Sequence, residues 1–194
     1  MRVSEITRNT RETKIVLKLN LDGNGRADID SGVGFLNHML ELLTVHSGFD
    51  LTVQCKGDTD VDFHHSVEDI GIALGLAFKE SLGDKKGIRR FADKVVPMDE
   101  TAAQVALDIS GRPYLIFDCA AELSYGKIGE FDCELVEEFL RAFCNNAGVN
   151  VFVRLLATGN KHHEAEAIFK ALAKCLGEGV QVVSDKIPSS KGVL

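Results

Sequence analysis

The stretch His64-His65-Ser66-Val67-Glu68 and its second copy, His162-His163-Glu164-Ala165-Glu166, decide how this chain is organised. Each copy opens a segment with apolar residues at helical spacing, so each His-His-x-x-Glu motif is predicted to lie on the first turn of a helix. The two copies hold four of the six histidines. An unusual motif that occurs twice predicts an internal duplication.

The rest of the sequence supports this duplication. A shift of 98 positions aligns residues 64–75 with 162–173, and six of the twelve pairs are identical. When the sequence is aligned with itself at a shift of 88 positions, Glu12 pairs with Glu100, and at a shift of 100 positions His38 pairs with Glu138. The change in the shift indicates an insertion near 122–131. We therefore predict one compact pseudo-duplicated unit with a first half at 1–87 and a second half at 88–194.

Strands and helices are mixed in each half. Alternating apolar residues predict strands, and apolar residues at helical spacing predict helices. The first half has predicted strands at 13–21 and 49–56, a short strand after the hairpin-like turn Asp22-Gly23-Asn24-Gly25, a helix from Phe35 that stops at Gly48, and a helix from His64. The second half has predicted strands near 101–109, 113–120 and 149–157, a helix near 133–146 and a helix from His163. The fold class predicted is α+β: an internally duplicated two-layer α/β sandwich, with a small mixed sheet in each half and helices on one face.

Composition narrows the function classes. The chain has 194 residues, 45% hydrophobic and 26% charged, with a formal net charge of −7, which argues against a surface that holds nucleic acid. Five cysteines without C-x-x-C spacing favour reduced thiols over disulfides. The N-terminus lacks an apolar signal region, and no apolar run reaches the length of a membrane span. We expect a cytoplasmic protein without a membrane partner.

The repeated motif suits divalent metal ions. On a helix, residues three and four positions apart are neighbours, so Glu68 can lie beside His64 and His65. Adjacent histidines on a helix point roughly 100° apart, which favours binding of the two rings to different ions. Each metal site would then be completed by ligands from the other repeat or from another subunit. The pairing of His38 with Glu138 adds one ligand to each half. The predicted metal ligands are His38, His64, His65, Glu68, Glu138, His162, His163 and Glu166, four for each of two ions.

Three further features are candidates for anion binding. Arg90 follows a basic turn, and Arg112 lies in the turn Ser110-Gly111-Arg112-Pro113. In such turns, arginines like Arg90 and Arg112 are more often solvated surface groups than anion ligands. The segment Ser189-Ser190-Lys191-Gly192 is typical of a disordered tail, but its hydroxyls, amides and lysine also form a reasonable phosphate cradle.

Several motifs together resemble the imidazoleglycerol-phosphate dehydratase family. They are Gly34-Phe35-Leu36-Asn37-His38-Met39-Leu40, His46-Ser47-Gly48-Phe49, the segment 62–69 around the first His-His-x-x-Glu, the segment 107–113, the second His-His-x-x-Glu and the ending Pro188-Ser189-Ser190-Lys191-Gly192. The resemblance covers nearly the whole chain. It implies dehydration of imidazole glycerol phosphate to imidazole acetol phosphate in histidine biosynthesis. It also implies two Mn²⁺ ions per active site, a large homo-oligomer of 24 subunits with cubic symmetry, and active sites between subunits.

The resemblance also implies roles for individual residues. It assigns acid–base catalysis to Glu12, His46 and Glu166, without saying which group is acid and which is base. It places the substrate against Glu12, His38, His46, His64, Glu68, Arg90, Arg112, His162, Lys170, Ser189, Ser190 and Lys191. The chain departs from the family pattern at Glu138 and Phe152, where many relatives have His.

Two other functions are compatible with the residues alone. A dinuclear metallohydrolase uses the same ligand types to activate water. A non-enzymatic, metal-dependent assembly module uses histidines to join subunits, but it has no need of anion-binding groups such as Arg112 and Lys191. Turnover of a phosphate ester separates these hypotheses, because hydrolysis releases inorganic phosphate and dehydration does not.

Overall fold

The structure is a computed structural model that describes residues 1–194, apart from the side chain of Ala120. The first half contains β1 (Val3–Asn9), β2 (Thr13–Asn20), β3 (Ala27–Asp30), α1 (Gly34–Ser47), β4 (Asp50–Gly57) and α2 (His64–Leu82). The second half contains β5 (Phe91–Met98), β6 (Thr101–Asp108), β7 (Tyr114–Asp118), α3 (Ala120–Leu123), β8 (Lys127–Ile128), β9 (Phe131–Asp132), α4 (Leu135–Ala147), β10 (Asn150–Ala157) and α5 (Lys161–Gly179).

The two halves have the same sheet topology. The first sheet has the strand order β1-β2-β4-β3 and the second has β5-β6-β10-β7. In each sheet the last pair is parallel and the other pairs are antiparallel. The insertion expected near 122–131 corresponds to α3 and the small β8–β9 hairpin, which have no counterpart in the first half. The duplicated α+β fold is therefore confirmed, whereas the boundary at residue 87 stays a prediction.

The helices fill the space between the two sheets. Helix α2 packs on β1 and β2, and α5 packs on β5 and β6. Each of these helices also contacts a helix of the other half, α2 against α4 and α5 against α1. The inward residues of β2, Ile15, Leu17 and Leu19, are at most 1% exposed, as their alternation with polar residues predicts. Burial of these apolar faces joins the halves through one hydrophobic core.

Glycines allow the closest helix approach. A Cβ atom on Gly71 of α2 would lie 2.8 Å from the Phe139 carbonyl oxygen, and one on Gly75 would lie 2.6 Å from the Phe143 carbonyl oxygen. Because both obstacles are backbone atoms of α4, they cannot move aside as a flexible side chain does. The α2–α4 contact therefore depends on two residues without side chains.

Three local predictions need correction. The sequence pattern does not predict the edge strands β1 and β5, because only one face of each contacts the core and the apolar alternation is weak. The turn at Asp22-Gly23-Asn24-Gly25 does not form a hairpin, since β4 lies between β2 and β3. The Asp50 Oδ1 atom accepts from the amides of Asn24 and Arg26, so this loop folds around the start of β4 instead. The strand predicted at 113–120 ends at Asp118, where α3 follows.

The cysteines are free, as their spacing predicts, and four of the five are buried. Burial raises the pKa of the Cys144 and Cys175 thiols to about 12, so both stay protonated at neutral pH. No helix in the described part of the chain combines the length and apolar character that membrane crossing requires.

Candidate metal centre and substrate site

Both histidine motifs start a long helix in the same way. The His64 amide donates to Asp62 Oδ1 at 2.8 Å, and the His162 amide donates to Asn160 Oδ1 at 2.9 Å. Asp62 and Asn160 are related by the shift of 98. A side-chain oxygen at this place satisfies an amide that has no partner inside the helix. The local sequence thus sets each motif on a first helical turn.

One cluster of potential metal ligands joins the two halves. Glu166 Oε1 lies 2.9 Å from His38 Nε2 and 3.1 Å from His162 Nε2. The three ligand atoms all lie within 4.8 Å of one another. Phe35 packs edge-on against the His162 ring at 5.1 Å between centroids and restricts its orientation. Two imidazole nitrogens and one carboxylate oxygen are a donor set that suits a first-row divalent ion.

Glu166 is prepared to act as an anionic ligand. Its Oε2 atom accepts a hydrogen bond from Lys170 Nζ at 2.6 Å. Burial alone raises the pKa of Glu166, but hydrogen bonds from Lys170 and His38, with the charge of Lys170, outweigh burial and lower the pKa to about 2. At neutral pH Glu166 is therefore a carboxylate.

The two histidine rings of each motif lie nearly perpendicular to each other. Ring centroids lie 6.2 Å apart in both pairs, with interplanar angles of 89° for His64 and His65 and 80° for His162 and His163. Among the described side chains, neither candidate metal cluster contains both rings of a pair. His65 Nδ1 lies 3.0 Å from Asp58 Oδ2, and the other nitrogen of the ring, Nε2, lies 3.8 Å from Glu12 Oε1.

In the second half, too, a carboxylate lies on Nδ1 of the second histidine. His163 Nδ1 lies 3.0 Å from Glu100 Oε2, and Glu100 Oε1 accepts from the Asn160 amide at 2.7 Å. That amide, with the amide of Glu100 and the His163 ring, lowers the pKa of Glu100 to about 2. A carboxylate on Nδ1 of a histidine leaves Nε2 as the metal-binding atom, an arrangement common around protein metal sites.

Sequence reasoning missed Asp58 and Glu100. The hydrogen bond from His65 to Asp58 raises the pKa of that histidine, with smaller contributions from Glu12 and other nearby carboxylates. Glu100 could have been found from the internal duplication, because a shift of 88 positions pairs it with Glu12. For Asp58, the sequence carries no comparable signal, because it reaches His65 only through the fold of the loop before α2.

The first-half counterpart of the metal cluster is looser. The duplication pairs His64, Glu68 and Glu138 with His162, Glu166 and His38. His64 Nε2 lies 3.9 Å from Glu68 Oε2, and Glu138 lies half-buried on α4, which packs against α2. Among the described side chains these three do not converge as closely as His38, His162 and Glu166 do. The candidate ligands of the first half are therefore less closely grouped within one chain than those of the second half.

His46 lines a separate cavity of about 320 Å³ near the end of α5, together with Ser47, Lys94, Lys174, Gly177, Glu178 and Gln181. Burial lowers the pKa of His46, and the charges of Lys174 and Lys170 lower it further. A neutral imidazole is thereby favoured, which can accept a proton.

The phosphate candidates gather at the C-terminal end of α5. Arg90 donates from Nε to Asp108 Oδ1 at 2.7 Å and from Nη1 to the Pro188 carbonyl oxygen at 2.7 Å, directly before Ser189. The Arg90 amide also donates to the Gly179 carbonyl at 2.9 Å. The Gly111 turn, next to the exposed Arg112, lies against the backbone of Leu194. Arg90, Arg112 and the 189–191 segment therefore share one region.

Helix α5 separates this region from the metal cluster. The cluster includes His162 at the start of α5, and Arg90 is bonded to Gly179 at its end. At a rise of 1.5 Å per residue the two positions lie about 25 Å apart along the helix axis. A single small phosphate ester cannot reach from one to the other within the same chain.

Comparison with known proteins agrees with the geometry. The sequence model described as imidazoleglycerol-phosphate dehydratase matches residues 31–176. A protein of that name from Clostridioides difficile is 55% identical over 194 residues, which cover 100% of both chains. Another of that name, from Azorhizobium caulinodans, is 55% identical over 197 residues, with 100% of this chain and 99% of the relative covered. The chain belongs to the imidazoleglycerol-phosphate dehydratase family. It is accordingly a hydro-lyase, a class of enzyme that removes water from its substrate.

Solved structures of the family have the same fold. The crystal structure of imidazoleglycerol-phosphate dehydratase from Staphylococcus aureus superimposes with a TM-score of 0.84 at 44% identity, covering 93% of this chain and 99% of that one. The Pyrococcus furiosus structure, in complex with (S)-C348, gives a TM-score of 0.81 at 29% identity, covering 97% and 100%. The duplicated architecture thus extends to relatives of low identity.

Proposed function

We propose that this chain dehydrates imidazole glycerol phosphate to imidazole acetol phosphate, a step of histidine biosynthesis in the cytoplasm, with two Mn²⁺ ions in each active site. The observation that carries the metal part of this proposal is the convergence of His38, His162 and Glu166 within 4.8 Å. Family membership supports the reaction. The net charge of −7 is in keeping with a small-molecule substrate instead of a nucleic acid.

The duplication suggests how eight ligands divide between two ions. His38, His162 and Glu166 hold one ion, and Glu138, His64 and Glu68 form the equivalent set. His65 and His163 present Nε2 away from these sets and complete sites with another subunit. Divalent ions held by these residues would act as Lewis acids that stabilise the imidazolate form of the substrate, whose electrons help to expel the hydroxyl group.

Active sites between subunits follow from the separation of the two binding regions. Arg90, Arg112, Ser189, Ser190 and Lys191 are well placed to hold a phosphate, but they lie about 25 Å along α5 from the metal cluster of their own chain. A complete site therefore takes its metal ligands and its phosphate ligands from different copies. A large closed homo-oligomer, such as the 24-subunit assembly expected for the family, supplies such pairs of copies.

Three groups are candidates for proton transfer, and the structure favours two of them. His46, whose pKa is lowered, suits a proton acceptor, and Glu12 beside His65 is exposed and free to approach a substrate. Glu166 has a pKa of about 2 and its bonds to Lys170 and His38 favour a ligand role over proton donation. Lys170 neutralises part of the Glu166 charge and also faces the substrate.

A coupled assay tests the proposal. Protein stripped with a chelator should show no turnover of imidazole glycerol phosphate, and added Mn²⁺ should restore it without release of inorganic phosphate. His38→Ala should lower both metal content and activity, whereas Glu41→Gln, at an exposed position on the same helix, should change neither. Phosphate release would support the metallohydrolase alternative, and full metal binding without turnover would support the assembly module.

A further inference from the structure

Asp69 is a buried carboxylate next to the metal motif but outside its ligand set. It follows Glu68 on α2 and is 5% exposed. Asp69 Oδ1 accepts from Arg8 Nε at 2.9 Å and from Arg8 Nη2 at 2.7 Å, and Oδ2 accepts from the hydroxyl of Thr13. Charge-assisted hydrogen bonds to both oxygens hold a buried carboxylate in one orientation. Helix α2 is thereby tied to β1 through Arg8 and to β2 through Thr13.

These two anchors enclose the turn that carries Glu12. Thr10 Oγ1 accepts from the amides of Glu12 at 3.1 Å and Thr13 at 2.9 Å, and the Thr10 amide donates to the Thr13 carbonyl at 2.9 Å. The Glu12 backbone is therefore fixed relative to Thr13, and Thr13 is fixed relative to Asp69. Asp69 lies one helical turn after His65, the residue that Glu12 faces at 3.8 Å.

The second half lacks an ion pair equivalent to Asp69 and Arg8, and its corresponding turn is shorter. Ala167 stands at the position of Asp69, and Val96 at the position of Arg8. Strands β5 and β6 pair as far as Met98 and Thr101, which leaves a tight two-residue turn that needs no anchor. In the first half, pairing stops at Asn9 and Lys14, so four residues form the turn. The wider turn is the one joined to the helix by an ion pair.

We propose that Asp69, held by Arg8, is a positioning residue that sets Glu12 against His65 and the substrate. Both of its carboxylate oxygens are engaged by Arg8 and Thr13, so it acts on Glu12 through the turn. This inference rests on the proposed function, because Glu12 has a catalytic role only in the dehydratase reaction. A role confined to stability is the competing explanation, since an uncompensated buried charge destabilises a fold.

Kinetic coupling with Glu12 separates the two explanations. Asp69→Asn removes the charge and should lower kcat by up to about a hundredfold, the cost that a misplacement of about 1 Å can have. In a Glu12→Gln background the same substitution should lower kcat by less than twofold, because the group being positioned is already altered. Equal losses in both backgrounds would overturn the proposal. Asp118→Asn, which weakens the exposed pair with Arg154, is the control and should leave kcat unchanged.

Replacing both Arg8 and Asp69 by apolar residues tests whether the ion pair only stabilises the fold. The double variant Arg8→Met/Asp69→Leu contains no unpaired charge and should keep the wild-type melting temperature and metal content. Its kcat should fall as far as that of Asp69→Asn. A stable double variant with wild-type kcat would show that the ion pair only supports the fold. Wild-type protein without turnover would instead refute the proposed function, so the two failures are distinguishable.

Discussion

At the scale of single residues, the second histidine of each motif makes a prediction about metal content. His65 and His163 have Nδ1 engaged by Asp58 and Glu100, so Nε2 is the atom available to an ion. His65→Ala and His163→Ala should each lower bound manganese and reduce activity by at least a hundredfold, in line with the loss of a metal ligand. Elemental analysis and the turnover assay measure both. Full occupancy with normal turnover in either variant would remove these residues from the ligand set.

Glu166 makes a second residue-scale prediction, about acid stability of the metal-free protein. Its folded pKa of about 2 is below the ordinary value of 4.5, so its stabilising effect is complete above about pH 4.5 and is lost as the pH falls towards 2. Glu166→Gln should lower the free energy of unfolding by about 2 kcal/mol at pH 7. Urea titrations of chelated samples should show this difference shrinking between pH 4.5 and 2. A difference that does not change with pH would contradict the assigned pairing with Lys170.

At the scale of elements, the α2–α4 contact depends on glycine. Gly75→Ala places a Cβ 2.6 Å from a carbonyl oxygen of α4 and should lower the free energy of unfolding by about 1–3 kcal/mol, the usual cost of overpacking. Gly34→Ala is the matched control, because an added Cβ at the start of α1 meets no atom within 4 Å. This control should be neutral or slightly stabilising. Equal stability of the two variants, measured by denaturant titration, would show that the helices can separate without cost.

At the scale of the whole molecule, metal binding and assembly should be linked. Under the proposal that the ligands are divided between copies, an ion binds fully only in the assembled state, and a hundredfold excess of metal over its dissociation constant would stabilise that state by about 2.7 kcal/mol. Acid should oppose assembly, because a ligand nitrogen must be unprotonated. Light scattering on chelated protein should show smaller particles than with Mn²⁺, and smaller particles at pH 5.5 than at pH 7.5. A particle mass that changes with neither Mn²⁺ nor pH would refute the linkage but leave the family assignment intact.

Local sequence patterns were sufficient to predict much of the architecture. The alternation in β2, the helical spacing in α1 and α2 and the stop at Gly48 depend on neighbouring residues, and the structure contains each of these features. The same holds for the duplication and for the place of each His-His-x-x-Glu at a helix start. These features are readable because burial of one face imposes a period on the sequence itself.

Tertiary structure alone decided which distant residues meet. It placed β4 between β2 and β3, brought His38 of the first half to Glu166 of the second, and set Asp58 and Glu100 on the outward histidines. It also put the candidate phosphate ligands at the far end of α5 from the candidate metal cluster of the same chain. No periodic pattern encodes these contacts, because each depends on the packing of elements far apart in sequence. The sequence by itself determined the ligand types and their helices, and the packing of the two halves determined how they combine.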